Sequence, residues 1–399
     1  MKTLSILLLL SLSLTAQTVE QTISYSIEHN YQLEILEEEK SIVDEEKKIV
    51  SLWEDPILSV GINDIQAVRP LNRNEEAMQN QYALYTQTIP LSNKLKVASQ
   101  VQEKQKRVIE QKQEALKVSI ASAVRQAFIE ANNASTTLMI LDDYIEFLET
   151  PMALLMSLSA VEKDSVDRYI KTELLQKGYQ LQRENALQRI AIAKEQIELI
   201  GNLKIEHFDG GVALKHYELN TLDSLLSKID AKSPELGIAI ALKEVALKGV
   251  ALAKESEQAD LKVTGGYYQR FDRNDYVSFA VSYPLYTRGK QERQRVQALK
   301  RVNIQEITYK QTQVQLRQAL KIAYHELKAL HQELELLKQS REKILKLIAN
   351  AKAELSVGGS LVRYYELFSQ KVNNRLEQNK KALAIRLTEN KMSQLLGEI

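Results

Sequence analysis

The 399-residue sequence contains no cysteine. That single absence removes disulfides, thiolate metal ligands, cysteine nucleophiles and lipid attachment through an N-terminal Cys. Glycine (13) and proline (6) are scarce, so tight turns are few and the elements between them must be long. Aromatic residues are only 6% of a chain that is 44% hydrophobic, a balance suited to thin repeating helix–helix seams rather than one thick core. Neither sign of charge dominates: 53 Lys+Arg face 52 Asp+Glu, which gives no bias toward nucleic acid or another polyanion. Beyond the N-terminus no run is long and apolar enough for a transmembrane helix.

What is present begins at that N-terminus. Lys2 is followed by Leu4–Leu14, made only of Leu, Ile and Ser, and then by polar sequence. The run is shorter than the ~20 residues a helix needs to cross a bilayer. This is the pattern of a cleaved secretory signal over residues 1–16, with the cut near Ala16, and the chain is read as exported.

The remainder reads as one plan written twice. "HNYQLEI" (29–35) matches "KSPELGI" (232–238), Pro90-Leu91 matches Pro284-Leu285, "SVDRY" (165–169) matches "SLVRY" (360–364), and "ELIGN" (198–202) matches "QLLGE" (394–398). The offsets between these landmarks run only from 194 to 203. Two repeats follow, 17–202 and 232–399, with 203–231 as the joint, and each reads helix, strand, loop, strand, long helix, turn, helix. A single helix is expected from Val19 to Trp53. In the second repeat Leu316, Ala323, Leu330, Leu337 and Ile344 recur every seven residues. Leu320, Leu327, Leu334, Arg341 and Ile348 follow four behind, an a/d heptad with one polar break. The first repeat carries the same seam through Ile120, Val124, Ala127, Ala131, Ala134, Leu138, Leu141, Ile145 and Leu148.

Four short strands interrupt the helices: Ile57–Asn63, Tyr82–Ile89, Leu261–Tyr268 and Asn274–Tyr283. Val277, Phe279, Val281 and Tyr283 alternate with Ser278, Ala280 and Ser282, and Leu58, Val60 and Ile62 with Ser59, Gly61 and Asn63. Gln87 spoils the apolar face of the second strand. Apolar-out and small-polar-in is how a membrane barrel strand reads, although a half-buried soluble sheet looks the same strand by strand. Four strands cannot close a barrel, and open edges cannot sit in lipid, so a barrel here requires several chains. Three chains supply twelve strands.

Enzymatic chemistry finds no support. Of the five histidines, His325 and His331 are six apart, which does not place two ligands on one helical face. His207 and His216 lie in the joint with little carboxylate company, and His29 stands alone. Gly265-Gly266 and Gly358-Gly359 lack the spacing of phosphate loops. No catalytic, cofactor or metal site is read.

The doubled plan, "SPEL" ahead of a helix and strand, "PLYTRGK" after a strand and the terminal "LLGE" together resemble the outer-membrane efflux (TolC) family, over nearly all of the mature chain. The resemblance implies a mainly α fold with a small β part. Four transmembrane β-strands per chain would join a trimeric twelve-stranded barrel, and long antiparallel helical hairpins would form an α-barrel. It further implies a passive exit duct of a tripartite efflux or type I secretion system in the outer membrane of a Gram-negative-type cell. Such a duct touches outer-membrane lipid and works with an inner-membrane pump and a periplasmic adaptor (membrane fusion protein). It has no cofactor and no catalysis of its own. Pro90 and Pro284 would mark the strand–helix junctions, since proline donates no ladder hydrogen bond and is accepted in a helix's first turn. The alternative is an exported periplasmic coiled-coil scaffold whose strand pairs are local hairpins.

The resemblance also places the periplasmic tip at the two helix turns, "VEKDSVDRY" (161–169) and "SVGGSLVRYYE" (356–366). It makes Asp164, Asp167, Arg168, Tyr169, Arg363, Tyr364 and Glu366 the gate candidates, with Arg-Tyr recurring in both turns. Where the family carries acidic residues just after the second turn, this chain has Arg363 and then Glu366, so a cation-binding ring is not carried over.

Overall fold

Two stretches nearly free of glycine and proline become the two longest helices. Helix α3 (Lys94–Leu158, 65 residues) has no glycine and one proline, Pro151, and α7 (Lys290–Leu355, 66 residues) has neither. At ~1.5 Å per residue each is about 100 Å long. The computed structural model describes residues 18–158, 163–208, 211–214, 216–217, 222–271, 273–355 and 361–398. The expected signal segment 1–16 and parts of both helix turns lie outside the described residues.

The other elements follow the order expected. Helices α1 (Val19–Glu28) and α2 (Tyr31–Ile49) precede strands β1 (Ile57–Asn63) and β2 (Asn80–Ile89), and α4 (Lys163–Gly201) follows α3. Helices α5 (Leu222–Lys232) and α6 (Pro234–Glu255) precede β3 (Leu261–Gln269) and β4 (Tyr276–Ser282), and α8 (Leu361–Leu395) follows α7. The fold is mainly helical with one small antiparallel sheet. No helix among the described residues is long and apolar enough to cross a membrane.

The single helix expected from Val19 to Trp53 is instead two, broken at His29-Asn30 and ending at Ile49. The cause is capping. The Asn30 carboxamide oxygen accepts from the backbone N–H of Gln32 (3.0 Å) and Leu33 (3.2 Å), two of the orphan donors of the new helix. Its Nδ2 donates to the Ile200 carbonyl at 2.7 Å, tying the break to the end of α4. Ser233 stands at the matching break between α5 and α6, ahead of Pro234 at the first helical position, where a missing N–H costs nothing.

Contacts divide the chain into two compact units. One is built from Met1–Glu34, Glu114–Ser233 and Val314–Ile399, the other from Ile35–Gln113 and Pro234–Gln313, so each repeat contributes to both. In the first unit part of the predicted seam is core: Val124, Ala127, Ala131, Leu141, Leu320, Ala323 and Leu327 are all 0% exposed, whereas Leu330, Leu334, Leu337, Ile344 and Ile348 further along α7 are half-buried and Arg341 is exposed. Small residues let the helices approach. A Cβ on Gly201 would lie 2.9 Å from the Ser26 Cα, so that position holds α1 and α4 together only as glycine. Half-buried and buried amides then fix register. Asn133 and Asn379 each donate to the other's backbone carbonyl (2.8 and 3.1 Å), and Asn390 donates to the Ser122 carbonyl at 2.9 Å.

The second unit holds the sheet and the helix segments that flank it, with few buried apolar side chains among the described residues: Val43, Val108, Ile109, Leu236, Ala239, Ala241 and Ala259. Ion pairs knit its helices instead, among them Lys106–Asp44 and Lys104–Glu244 at 2.8 Å, Lys47–Glu103 and Lys243–Glu306. Solvent-exposed pairs of this kind contribute ~0–1 kcal/mol each.

The fully buried Leu327 tests the seam. Leu327→Ala is expected to lower the free energy of unfolding by about 2–5 kcal/mol. Lys328→Ala, exposed one residue further along α7, should change it by no more than about 0.5 kcal/mol. Equal denaturation midpoints for the two variants, followed by circular dichroism, would show that the heptad seam is not core.

Candidate functional site

The sheet runs β1-β2-β3-β4, every pair antiparallel. Directly opposed residues share a face, so the register sorts the side chains. Leu58, Tyr85, Gly265 and Phe279 make one row and Val60, Ala83, Tyr267 and Val277 the next, with Val263 and Val281 continuing the same face. The two apolar sets read separately in β1 and β4 thus belong to one surface. Nothing in the described chain covers it: Val60, Val277 and Phe279 are 75%, 79% and 73% exposed. Gln87 falls on this face opposite Val263, and its amide is satisfied locally by the Glu54 and Thr88 carbonyls at 2.9 and 3.0 Å.

The opposite face is polar and aromatic. Ser59, Leu84, Gly266 and Ser278 form one row, and Thr86 bonds Thr264 at 3.1 Å in another. Tyr82, Tyr268 and Tyr276 stack across three strands, with centroids 5.9 and 4.6 Å apart. The Tyr82 ring lies over Gly61, where a Cβ would come within 2.6 Å of the ring carbon Cζ. Among the described residues strands β1 and β4 each have one neighbour, which leaves two edges of unpaired N–H and C=O groups. Pro90 directly follows β2 and Pro284 lies two residues beyond β4, but neither is in a helix's first turn. Three residues separate Pro90 from α3, where the Ser92 hydroxyl accepts from the Lys94 N–H (3.2 Å), and Gly289 at φ +64° turns the chain into α7.

Several helices carry a second apolar seam that the sequence reading missed. On α4, Ile170, Leu174, Leu181, Ile192 and Leu199 lie on one stripe at 47–87% exposure. On α2, Ile35, Ile42 and Ile49 repeat every seven residues at 57–65%. The signal was present as heptad spacing. The sequence reading placed a seam only on the two long helices.

At the turns the structure brings some candidates together and not others. Arg168 and Glu366 line one cavity of about 510 Å³ in the first unit, with Ser165, Lys171, Thr172, Tyr365 and Pro151. Asp167 is exposed and Tyr169 half-buried, and neither lines the cavity. The side chain of Asp164 lies outside the described residues. Arg363 pairs with Glu354 of α7 at 2.9 Å, within the chain. Tyr364 belongs to an aromatic cluster unforeseen from sequence, in which Phe147 and Phe368 stack at 3.9 Å and Tyr144 meets Tyr179 edge-on at 4.9 Å. The Tyr179 hydroxyl donates to Asn373 at 3.0 Å. Burial pushes the Tyr144 phenol up to about 12, against the smaller opposing pull of Ser369.

The histidine reading needs correction. His216 was expected to have little carboxylate company, yet its Nδ1 lies 3.2 Å from Glu389 Oε1, and its ring meets His331 edge-on at 5.7 Å. Folding of the joint against α7 and α8 makes the cluster, and no spacing in the sequence announces it.

No protein-family model matches the sequence, and no curated protein matches it either. Solved structures do match. CusC, described in terms of folding and transmembrane channel formation, superposes with a TM-score of 0.76 at 13% identity, over 96% of this chain and 93% of that one. The CmeC outer membrane channel of Campylobacter jejuni gives 0.74 at 14% identity over 95% and 85%. The outer membrane protein VceC of Vibrio cholerae gives 0.74 at 13% over 95% and 96%. The chain therefore has the fold of outer-membrane channels of the TolC type, a helical part with a small β part, over nearly its whole length.

The aromatic cluster makes a pH prediction. Because the folded pKa of Tyr144 lies above the usual 10.0, its stabilising contribution is complete below pH 10 and lost as pH rises toward about 12. Tyr144→Phe cannot ionise and should resist alkaline unfolding better than the unaltered chain across that window. Identical alkaline midpoints for both proteins would place Tyr144 outside the packed cluster.

Proposed function

We propose that the chain is one subunit of a trimeric exit duct in the outer membrane, a passive conduit from periplasm to exterior. One observation carries this reading: a four-stranded sheet with an uncovered apolar face and two unpaired edges. In water the face would aggregate, and in lipid the edges would be unsatisfied. Both problems vanish when β4 of one copy pairs with β1 of the next, and three copies give an even, closed twelve-stranded barrel. The uncovered seams of α2 and α4 support the same conclusion, since they offer heptad-spaced surfaces for neighbouring helices. The fold shared with CusC, CmeC and VceC adds support. Such a duct has no energy source of its own and depends on an inner-membrane pump joined to it by a periplasmic adaptor. The coiled-coil scaffold alternative leaves the sheet's face and edges without a role.

Lipid and lumen then divide the two faces. An arginine on the lipid face costs ~2–4 kcal/mol at the bilayer midplane and less near its edges. Phe279→Arg should sharply reduce the detergent-extractable trimer, whereas Ser282→Arg, on the lumen face, should leave most of it. A native protein that stays monomeric in detergent, or equal trimer yields from both variants, would reject the barrel.

The two helix turns form the periplasmic gate in this reading. Arg363 already pairs with Glu354, and Arg168 shares a cavity with Glu366, so three copies gather six arginines and their carboxylates at one end. Each exposed pair is worth only ~0–1 kcal/mol, but a symmetric set biases a two-state tip toward closure. Arg168→Ala combined with Arg363→Ala should raise single-channel conductance in planar bilayers, with trimer and insertion unchanged. Lys204→Ala, outside the turns, is the control. Equal conductance in all three proteins would discard the latch and leave the arginines to solvent or the adaptor.

A further inference from the structure

We propose that His216, His331 and Glu389 bind one divalent metal ion of the zinc class, which clips the joint between the repeats to helices α7 and α8. The residues come from three distant stretches: His216 from the segment between α4 and α5, His331 from α7, and Glu389 from α8. One ligand atom of each lies within 4.8 Å of the others.

Two features mark the cluster as unfinished without an ion. The His331 Nε2 is buried and has no hydrogen-bond partner among the described residues, an unfavourable state for a buried polar group. Glu389 is a carboxylate only 7% exposed, and a buried anion calls for a positive partner. A bound cation satisfies both. The neighbourhood is also built to hold it. Tyr217, adjacent to His216 and 4% exposed, donates to Glu398 Oε2 at 2.8 Å and shares a 2.8 Å hydrogen bond with Ser393. That anchor docks the joint on the C-terminal end of α8 and fixes where the His216 backbone sits.

The donors choose the metal. Two imidazole nitrogens and one carboxylate oxygen suit Zn²⁺ and neighbouring borderline divalent ions. Cu(I) wants sulfur, and Ca²⁺ or Mg²⁺ wants all-oxygen shells. Tetrahedral Zn²⁺ with ~2.0–2.1 Å bonds needs ligand atoms roughly 3.3 Å apart, closer than the 4.8 Å limit here. The His216 side chain, 73% exposed, is free to swing inward and close that gap. Water completes the fourth position. Because one ligand belongs to the joint and two to long helices, the ion acts as a cross-link across the fold.

The test uses full-length, untagged protein in detergent, so that no polyhistidine tag competes. Titration with Zn²⁺ should show one ion per chain, and Co²⁺ in its place should give a visible d–d absorption of tetrahedral type. His216→Ala, an exposed position that leaves the metal-free fold intact, should weaken binding at least tenfold and abolish the rise in Tm that Zn²⁺ produces. Glu389→Gln should weaken binding similarly. His207→Ala, in the same joint but outside the cluster, should bind as the unaltered chain does. Absence of stoichiometric Zn²⁺ binding at 1:1, or unchanged affinity in His216→Ala combined with His331→Ala, overturns the site.

Discussion

A backbone N–H or C=O taken out of water without a partner is expensive, and in hydrocarbon no solvent is there to rescue it. In the proposed duct the constraint falls on β1 and β4, which have one neighbour each among the described strands, beside a face whose central residues are three-quarters exposed. In that reading strand composition, register and the aromatic row all serve a sheet completed by neighbouring chains. The glycines at 61 and 266 accept side chains from the neighbouring strand, Tyr82 over the first and Leu84 over the second. The polar face is thereby packed while the apolar face stays smooth.

The same incompleteness recurs in the helices by different means. Most of the heptad seam of α3 and the first part of that of α7, Leu316 to Leu327, are buried within the chain, and α3 uses alanine at 127, 131 and 134 so that backbones can approach. The seams of α2 and α4 are built from isoleucine and leucine and are uncovered among the described residues. Reciprocal amide contacts such as Asn133 with Asn379 fix the longitudinal register of helices whose repeating surfaces would otherwise slide by a heptad. Buried polar pairs of this type trade some stability for a unique alignment.

Much of this was legible in the sequence, and the exceptions have physical causes. Period-two alternation was clear in β1, placed at Ile57–Asn63 residue for residue, and in β4, because those strands have chemically different faces, while Gln87 blurred it in β2. The first seam was legible because local spacing alone specifies it. The helix break at Asn30 was not, since a mid-helix asparagine becomes a cap only when its amide finds Ile200 at the end of another helix. The aromatic cluster of Tyr144, Phe147, Tyr179 and Phe368 was invisible for the same reason: its members lie far apart in the chain. His216 and Glu389 illustrate the limit most sharply, since 173 residues separate two side chains that touch.

The two open strand edges also have a genetic reading. If every barrel must be closed by three chains, a subunit that folds but spoils one edge is incorporated and ruins the whole assembly. In a cell making normal and defective chains in equal amounts, only about one trimer in eight is free of the defective copy. Alleles that damage β1 or β4 should therefore behave as dominant, whereas alleles that prevent the chain from folding at all remove themselves from assembly and behave as recessive.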